Sequence, residues 1–284
     1  MRAFEFLQPG SVAEASAMLT EHGENARPLA GGTSLVLLLR QRLAEPSHVV
    51  HIGSLGELRA IRIGGEGELR IGALATHAEI AAHPLIRERF PVIAEMASQV
   101  ANPQVRNVAT LGGNLCYADP ASDPPTCLVA LGAHVRVLRG TEEREIPLEG
   151  FFKGYYETAL GVGDVLVEVI VPPLPKGSVA LYSRFITNPA EGRPLAAVAL
   201  RLLRNADRWS DVRLVLGAVV PAPTRIPEAE KLLAGQKTTA EMLAKAADIA
   251  ARAIEPIDDF RASAAYRRQA TRVITRRLLE RACE

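Results

Sequence analysis

Two short segments pair glycines with hydroxyl or amide side chains: Ala30-Gly31-Gly32-Thr33-Ser34 and Thr110-Leu111-Gly112-Gly113-Asn114. Each follows a β-like stretch. Glycine lets the backbone turn with φ > 0 and lets N–H groups approach a ligand closely. Successive N–H groups in such a turn form an anion-binding concavity. One turn of this kind is weak evidence, but two edged with Ser, Thr or Asn suggest a phosphate-rich ligand gripped from two sides. A pyrophosphate suits that arrangement. The first segment falls between a strand over 27–30 and a helix over 34–41, so helix N-terminal N–H groups would also meet the anion. The plain alternative is a β-turn with Ser34 as N-cap. The second segment runs on to Asp119 and Asp123, whose carboxylates suit sugar hydroxyls rather than phosphate. A turn-stabilising role for Asp123 is the alternative.

Other chemistries are harder to find. There is no G-x-x-x-x-G-K-[ST] loop and no G-x-G-x-x-G after the first strand. Gly64, Gly65 and Gly67 lack that spacing and fall in a hairpin. Ser34 and Ser122 lack a G-x-S-x-G elbow, and the 6 histidines form no H-x-x-x-H pair. The 3 cysteines, Cys116, Cys127 and Cys283, contain no C-x-x-C and read as buried free thiols. No metal site, no cluster and no catalytic acid, base or nucleophile is expected, so redox chemistry would need a bound organic cofactor.

The 284 residues, 48% hydrophobic and 23% charged with a net charge of +1, are those of an ordinary globular protein. That balance gives no reason to expect nucleic acid or a membrane as partner. No apolar run approaches the roughly 18 residues of a transmembrane segment. The opening residues have no secretory pattern, so a cytoplasmic location is expected.

The elements that must position these segments predict an α+β protein in three parts. Residues 1–53 read β-α-β-α-β, with Ser11 and Glu14 spaced as a capping box. Residues 54–174 open with a hairpin, Leu58–Ile63 and Glu68–Ile71, and carry a second box at Thr76 and Glu79. The three prolines of Asp119–Pro125 predict a loop. Residues 175–284 predict a three-stranded antiparallel sheet, then helices, with a third box at Thr238 and Glu241. The last helix sets Tyr266, Ala270, Val273, Ile274 and Leu278 against a basic opposite face.

The strings Pro28–Leu35, Gln104–Leu115 and Ala118–Asp123 resemble the FAD-binding medium subunit of molybdenum hydroxylases. This is the carbon monoxide dehydrogenase medium subunit type, related to the flavin segment of xanthine dehydrogenase. The opening FEFLQPGSVAEA, the stretch 71–80 and the Tyr266-Arg-Arg tail extend the likeness along the whole chain. The resemblance implies a PCMH-type (vanillyl-alcohol-oxidase-like) fold binding FAD. Residues 30–34 and 110–114 would grip its pyrophosphate, Asp123 would meet the ribitol or ribose, and Leu166 would give an apolar contact. Thr76 would run beside the flavin. The C-terminal part would cover the flavin and meet partners: a large molybdopterin-binding subunit and a small [2Fe–2S] subunit, in a dimer of heterotrimers. Electrons would pass from those clusters through FAD to an external acceptor. A self-contained flavin oxidase or reductase of the same fold, or a subunit that has lost FAD, are the rival readings. Arg184–Pro194 departs from the family pattern. Some relatives carry a ring-shielding aromatic there, where this chain has Ile186, Gly192 and Arg193, with Pro189 stiffening the loop. The cysteine-bearing insertion of the hydroxybenzoyl-CoA reductase branch is absent.

Overall fold

The computed structural model describes residues 1–188 and 192–284; Pro189 lies outside them. The first part contains β1 (Glu5–Leu7), α1 (Val12–His22), β2 (Ala26–Leu29), α2 (Leu35–Gln41) and β3 (His48–His51). Its strands form a parallel sheet in the order β1-β3-β2. Ser11 caps α1 by accepting the Glu14 N–H at 3.2 Å. The Glu14 carboxylate reaches back to the Gly10 N–H at 2.6 Å, one residue before the cap. Val12, Ala15, Ser16 and Leu19 are the buried face of α1, the i, i+3, i+4, i+7 stripe of an amphipathic helix.

A five-stranded antiparallel sheet follows, built from β4 (Ile61–Ile63), β5 (Leu69–Gly72), β6 (His134–Arg139), β7 (Glu142–Pro147) and, after the two-strand ribbon of β8 (Phe152–Gly154) and β9 (Glu157–Thr158), β10 (Val165–Val171). Its order is β4-β5-β10-β6-β7. The expected strand over 58–63 is shorter, because Gly56–Arg59 forms a turn of 3-10 helix. Between β5 and β6 lie α3 (His77–Ala82), α4 (Pro84–Arg89), α5 (Pro91–Gln99), α6 (Pro103–Arg106), α7 (Leu111–Tyr117) and α8 (Asp123–Ala130). Pro84, Pro91 and Pro103 each open a new helix, where a missing N–H costs nothing. The same rule corrects the expectation of a loop through Pro125. Pro124 and Pro125 occupy the first turn of α8, and only 119–122 is irregular.

The third part has the expected antiparallel sheet: β11 (Ser178–Phe185), β12 (Ala196–Asn205) and β13 (Arg208–Gly217), extended by the two-residue edge strand β14 (Thr224–Arg225). Helices α9 (Pro227–Leu233), α10 (Ala240–Arg252) and α11 (Ala264–Arg281) complete it. The N-cap of α10 is Thr239, accepting from Met242 N–H at 3.3 Å, rather than Thr238. Thr238 instead donates its N–H to Asp207. Strand β12 is shared between two cores. Its Ala197 and Ala199 pack with Phe90, Leu128 and Val169, while Val198 and Leu200 pack with Ala246 and Leu278. On α11, Ala270, Ile274 and Leu278 are buried as expected, but Tyr266 is exposed. Cys127 is buried, Cys116 half-buried and Cys283 exposed, so the buried-thiol expectation fails at Cys283. Among the described residues no helix is long and apolar enough to cross a membrane.

Glu168 of β10 has a side chain only 4% exposed and meets three arginines, Arg62 at 2.6 Å, Arg70 at 3.1 Å and Arg136 at 3.4 Å. These come from β4, β5 and β6, so one carboxylate ties four adjacent strands. Glu168→Gln keeps the shape and removes the charge, and should lower stability by about 1–3 kcal/mol. Urea unfolding checks this; an unchanged midpoint would remove the carboxylate from the account of the sheet.

Candidate functional site

Between the parallel sheet, α7 and the β9–β10 loop lies a cavity of about 550 Å³, within the size range of small-molecule sites. Of the residues singled out in the sequence, Ala30, Gly31, Gly32, Thr33, Ser34, Thr110, Gly112, Gly113, Asn114 and Leu166 line it. Leu111 and Asp123 do not. Leu111 is 1% exposed and belongs to the core.

The first segment is the expected turn. Gly32 has φ of 72°, and the N–H groups of Gly31, Gly32, Thr33 and Ser34 donate to no other protein group among the described residues. Ser34 begins α2 with helical backbone angles, and its side chain caps nothing. Its hydroxyl is therefore available to a ligand. The second segment is different. It is not a turn but the start of α7, and the backbone N–H groups of Leu111 to Asn114 are already used. Thr110 is the N-cap and accepts from Gly113 N–H at 3.2 Å. Leu111 N–H donates to Ala75 O at 2.9 Å and Gly112 N–H to Ala73 O at 2.8 Å. The reading of two equivalent anion concavities is thus corrected. One segment offers free donors, and the other offers a backbone wall with the Asn114 amide, whose Oδ1 accepts from Ser122 Oγ at 2.6 Å.

The two segments are pressed together. A Cβ on Gly31 would lie 2.0 Å from Val108 O, and one on Gly112 would lie 2.6 Å from Ala73 Cβ. Thr76 forms a β-bridge with Thr110 and a full capping box with Glu79. It fixes α3 beside the cavity without lining it. Leu166 does line the cavity, at a shift of register in β10 between Leu166 and Glu168. Such a bulge re-aims the strand's side chains.

Asp123 stands behind the wall. Its carboxylate is 3% exposed, accepts from Tyr182 OH at 2.6 Å and pairs with Arg184 at 3.0 Å. Asp123 therefore lies outside the cavity wall, with its carboxylate already accepting from two side chains. Burial pushes its carboxyl up to about 6, against the opposing pull of Arg184 and Tyr182. Sequence reasoning also missed lining residues. Tyr117 and Tyr156 bring their rings within 5.2 Å at one end. The β9–β10 loop and the start of β10, from Leu160 to Val165, also line it. Ser16 of α1 holds that loop, donating to Gly163 O and accepting from Gly140 N–H, both at 2.7 Å. Asp164 is held there by Arg144 at 2.5 Å and Arg139 at 3.2 Å. Only the glycines at 161 and 163 hinted at this loop in the sequence.

Two outcomes follow from this geometry. Gly31→Ala must move a carbonyl and should cost about 1–3 kcal/mol or more, whereas Gly65→Ala, with nothing within 4 Å of its new Cβ, should be near neutral. Equal urea midpoints for both would refute the close approach. Asp123 retains its proton to about pH 6 in the folded state but releases it near its ordinary 3.8 when unfolded. Its contribution is therefore fully present below about pH 4 and lost as pH rises to about 6. Unfolding of wild type minus Asp123→Asn across that window should show the decline, and a flat difference would contradict the burial.

Comparison with known proteins bears directly on this site. The family description "FAD binding domain in molybdopterin dehydrogenase" matches residues 2–174, and "CO dehydrogenase flavoprotein C-terminal domain" matches residues 194–282. The chain is 35% identical over 265 residues to the carbon monoxide dehydrogenase medium chain of Hydrogenophaga pseudoflava, covering 93% of this chain and 91% of that one. It is 32% identical over 272 residues to the glyceraldehyde dehydrogenase medium chain of Sulfolobus acidocaldarius, covering 96% and 95%. The solved carbon monoxide dehydrogenase from Hydrogenophaga pseudoflava superposes with a TM-score of 0.95 at 34% identity, over 99% of this chain and 97% of that chain. The PCMH-type α+β flavin fold is thus the observed one, and FAD is the cofactor. The chain is an oxidoreductase flavoprotein and belongs to the FAD-binding medium-subunit family of the molybdenum hydroxylases.

Proposed function

We propose that this chain is a cytoplasmic electron-transfer subunit that takes electrons from [2Fe–2S] clusters of a small partner and passes them through FAD to an external acceptor. Substrate oxidation would occur on a large molybdopterin-binding subunit, in a dimer of heterotrimers. The observation that carries the reading is the run of four adjacent backbone N–H groups, from Gly31 to Ser34, without protein acceptors among the described residues and beside the start of α7. Such a run fits a pyrophosphate, because it presents partial positive charge without a competing side chain. Gly31–Ser34 would hold the diphosphate, with Thr33 and Ser34 adding hydroxyls. Gly113 and Asn114 would face it from α7, and Leu166 would give the apolar contact.

When bound, FAD supplies the redox chemistry, and the protein binds, orients and shields it. Two titratable groups of the cavity wall are withheld from chemistry. Burial pushes the Cys116 thiol up to about 12, which keeps it protonated and inert. Asp164 is committed to two arginines. A self-contained oxidase needs a general acid or base near the flavin, and neither Cys116 nor Asp164 is free to act as one. That favours the subunit reading.

The test is reconstitution of the full chain with FAD, read by its visible spectrum. Wild type should bind one flavin per chain, and absence of flavin bands would overturn the reading. Gly32→Val forces a β-branched residue to φ of 72°, at a cost of about 1–2 kcal/mol, and reshapes the donor run. It should stay soluble and lose most of its FAD, while Gly65→Val keeps it. Purification from the native source should bring large and small subunits with molybdenum and iron. A chain that turns over an alcohol with oxygen by itself would contradict the assembly.

A further inference from the structure

Residues 186–193, where the chain departs from relatives that carry a ring-shielding aromatic, do not line the cavity where the structure describes them. Ile186, Gly192 and Arg193 are absent from its wall. Tyr117, at the end of α7, and Tyr156, in the β8–β9 turn, are the two aromatic side chains among the described lining residues. Their ring centroids are 5.2 Å apart with planes tilted by 60°, an arrangement typical of interacting aromatic pairs.

The pair is held with some effort. Tyr156 has φ of 57°, a left-handed conformation that a bulky residue rarely adopts. Its N–H donates to Ala118 O at 3.1 Å, which keeps the turn against the end of α7. Arg193 hydrogen-bonds the Tyr156 side chain and pairs with both Asp119 oxygens, at 2.8 and 2.6 Å. The segments around 118, 156 and 193 are therefore stitched together at one end of the cavity. Residues in such backbone conformations persist where the surroundings impose them, and they cluster at functional sites.

The tyrosine pair is also accessible. Tyr156 is 53% exposed, whereas Leu19, Ala26, Ile52 and Leu74 are buried apolar parts of the same wall. A redox ring that must exchange electrons with other molecules belongs beside exposed aromatic wall rather than buried apolar wall. An adenine has no such need. Resting on the reading that FAD fills this cavity, we propose that Tyr117 and Tyr156 are the aromatic cover of the flavin ring, with Arg193 and Asp119 as the strap that positions them. They replace the aromatic that some relatives carry near residue 186.

The test uses the FAD-loaded full chain, with FAD content, flavin fluorescence per bound FAD and quenching by iodide as readouts. A phenol in contact with an excited flavin quenches it by donating an electron, and a phenyl ring does not. Wild-type flavin should be dim and poorly accessible to iodide. Tyr117→Leu with Tyr156→Leu should keep the FAD and make it several-fold brighter and open to iodide. Tyr117→Phe with Tyr156→Phe should be brighter yet remain shielded. Because Leu at 156 could cost FAD retention, the Phe pair decides in that case: a brighter bound flavin supports the cover, and an unchanged one overturns it. Bound FAD with unchanged fluorescence and iodide access in the Leu pair also overturns the proposal. Failure of wild type to bind FAD would sink the underlying reading instead, and FAD content distinguishes the two.

Discussion

Backbone presses directly on backbone where Gly31 meets Val108 and where Gly112 meets Ala73, and the cavity depends on both contacts. Neither glycine has room for a Cβ atom. The first contact seats the parallel sheet on the segment leading into α7, and the second seats α7 on the turn after β5. Hydrogen bonds fix both in register: Leu111 N–H to Ala75 O, Gly112 N–H to Ala73 O, and the bridge between Thr76 and Thr110. A side chain at either glycine would separate the two walls. Polar groups satisfied in this way can be buried without penalty, which lets so much backbone lie beside a ligand space.

The C-terminal sheet is joined to this arrangement through β12 and through Asp123. Strand β12 is buried on both faces and serves two cores, so the sheet cannot drift from α8 without opening one of them. Asp123, at the start of α8, accepts from Tyr182 and Arg184 of β11. A buried ion pair of this kind is weak evidence for stability, since desolvation offsets much of the attraction. Its geometric consequence is clearer. It sets the angle at which α8 meets β11, and Arg184 also donates to Gly192 O at 2.9 Å. The residue expected from the sequence to contact a ligand is, in this structure, a brace between α8 and the C-terminal sheet.

Local rules were legible in the sequence wherever a short-range interaction decided the outcome. The Thr76 and Glu79 box forms as its spacing requires, and the Gly31–Ser34 turn lies between a strand and a helix as expected. The failures share a cause. Gly112 and Gly113 are glycines because of neighbours distant in sequence, not because they turn the chain, and nothing local distinguishes the two reasons. Pro124 and Pro125 break a helix only after its first turn, so their meaning depends on where α8 begins. Thr238 and Thr239 compete for one cap, and a bond from Thr238 to Asp207 decides it. Tyr156 carries no sequence mark of its left-handed backbone. Asp123 could not be read because its partners lie on β11, beyond any local pattern.

The inequality of the two glycine segments bears on how the site would handle charge. Among the described residues, a run of adjacent backbone donors without protein acceptors sits on Gly31–Ser34, and no lysine lines the cavity. Arg27 does line it, but Arg27 Nη1 donates to Glu24 O and Ala26 O, each at 2.8 Å. In the proposed binding mode a diphosphate is therefore met chiefly by backbone dipoles and hydroxyls. Fixed dipoles in a partly enclosed site are less screened by salt than exposed ion pairs. They also need no side-chain ordering when the ligand arrives, so less conformational entropy is lost. The close packing at Gly31 and Gly112 makes this possible, because it holds the backbone that carries these four N–H groups in place. In the proposed mode the grip is set by main chain, and side chains contribute through Leu166 and the tyrosine pair.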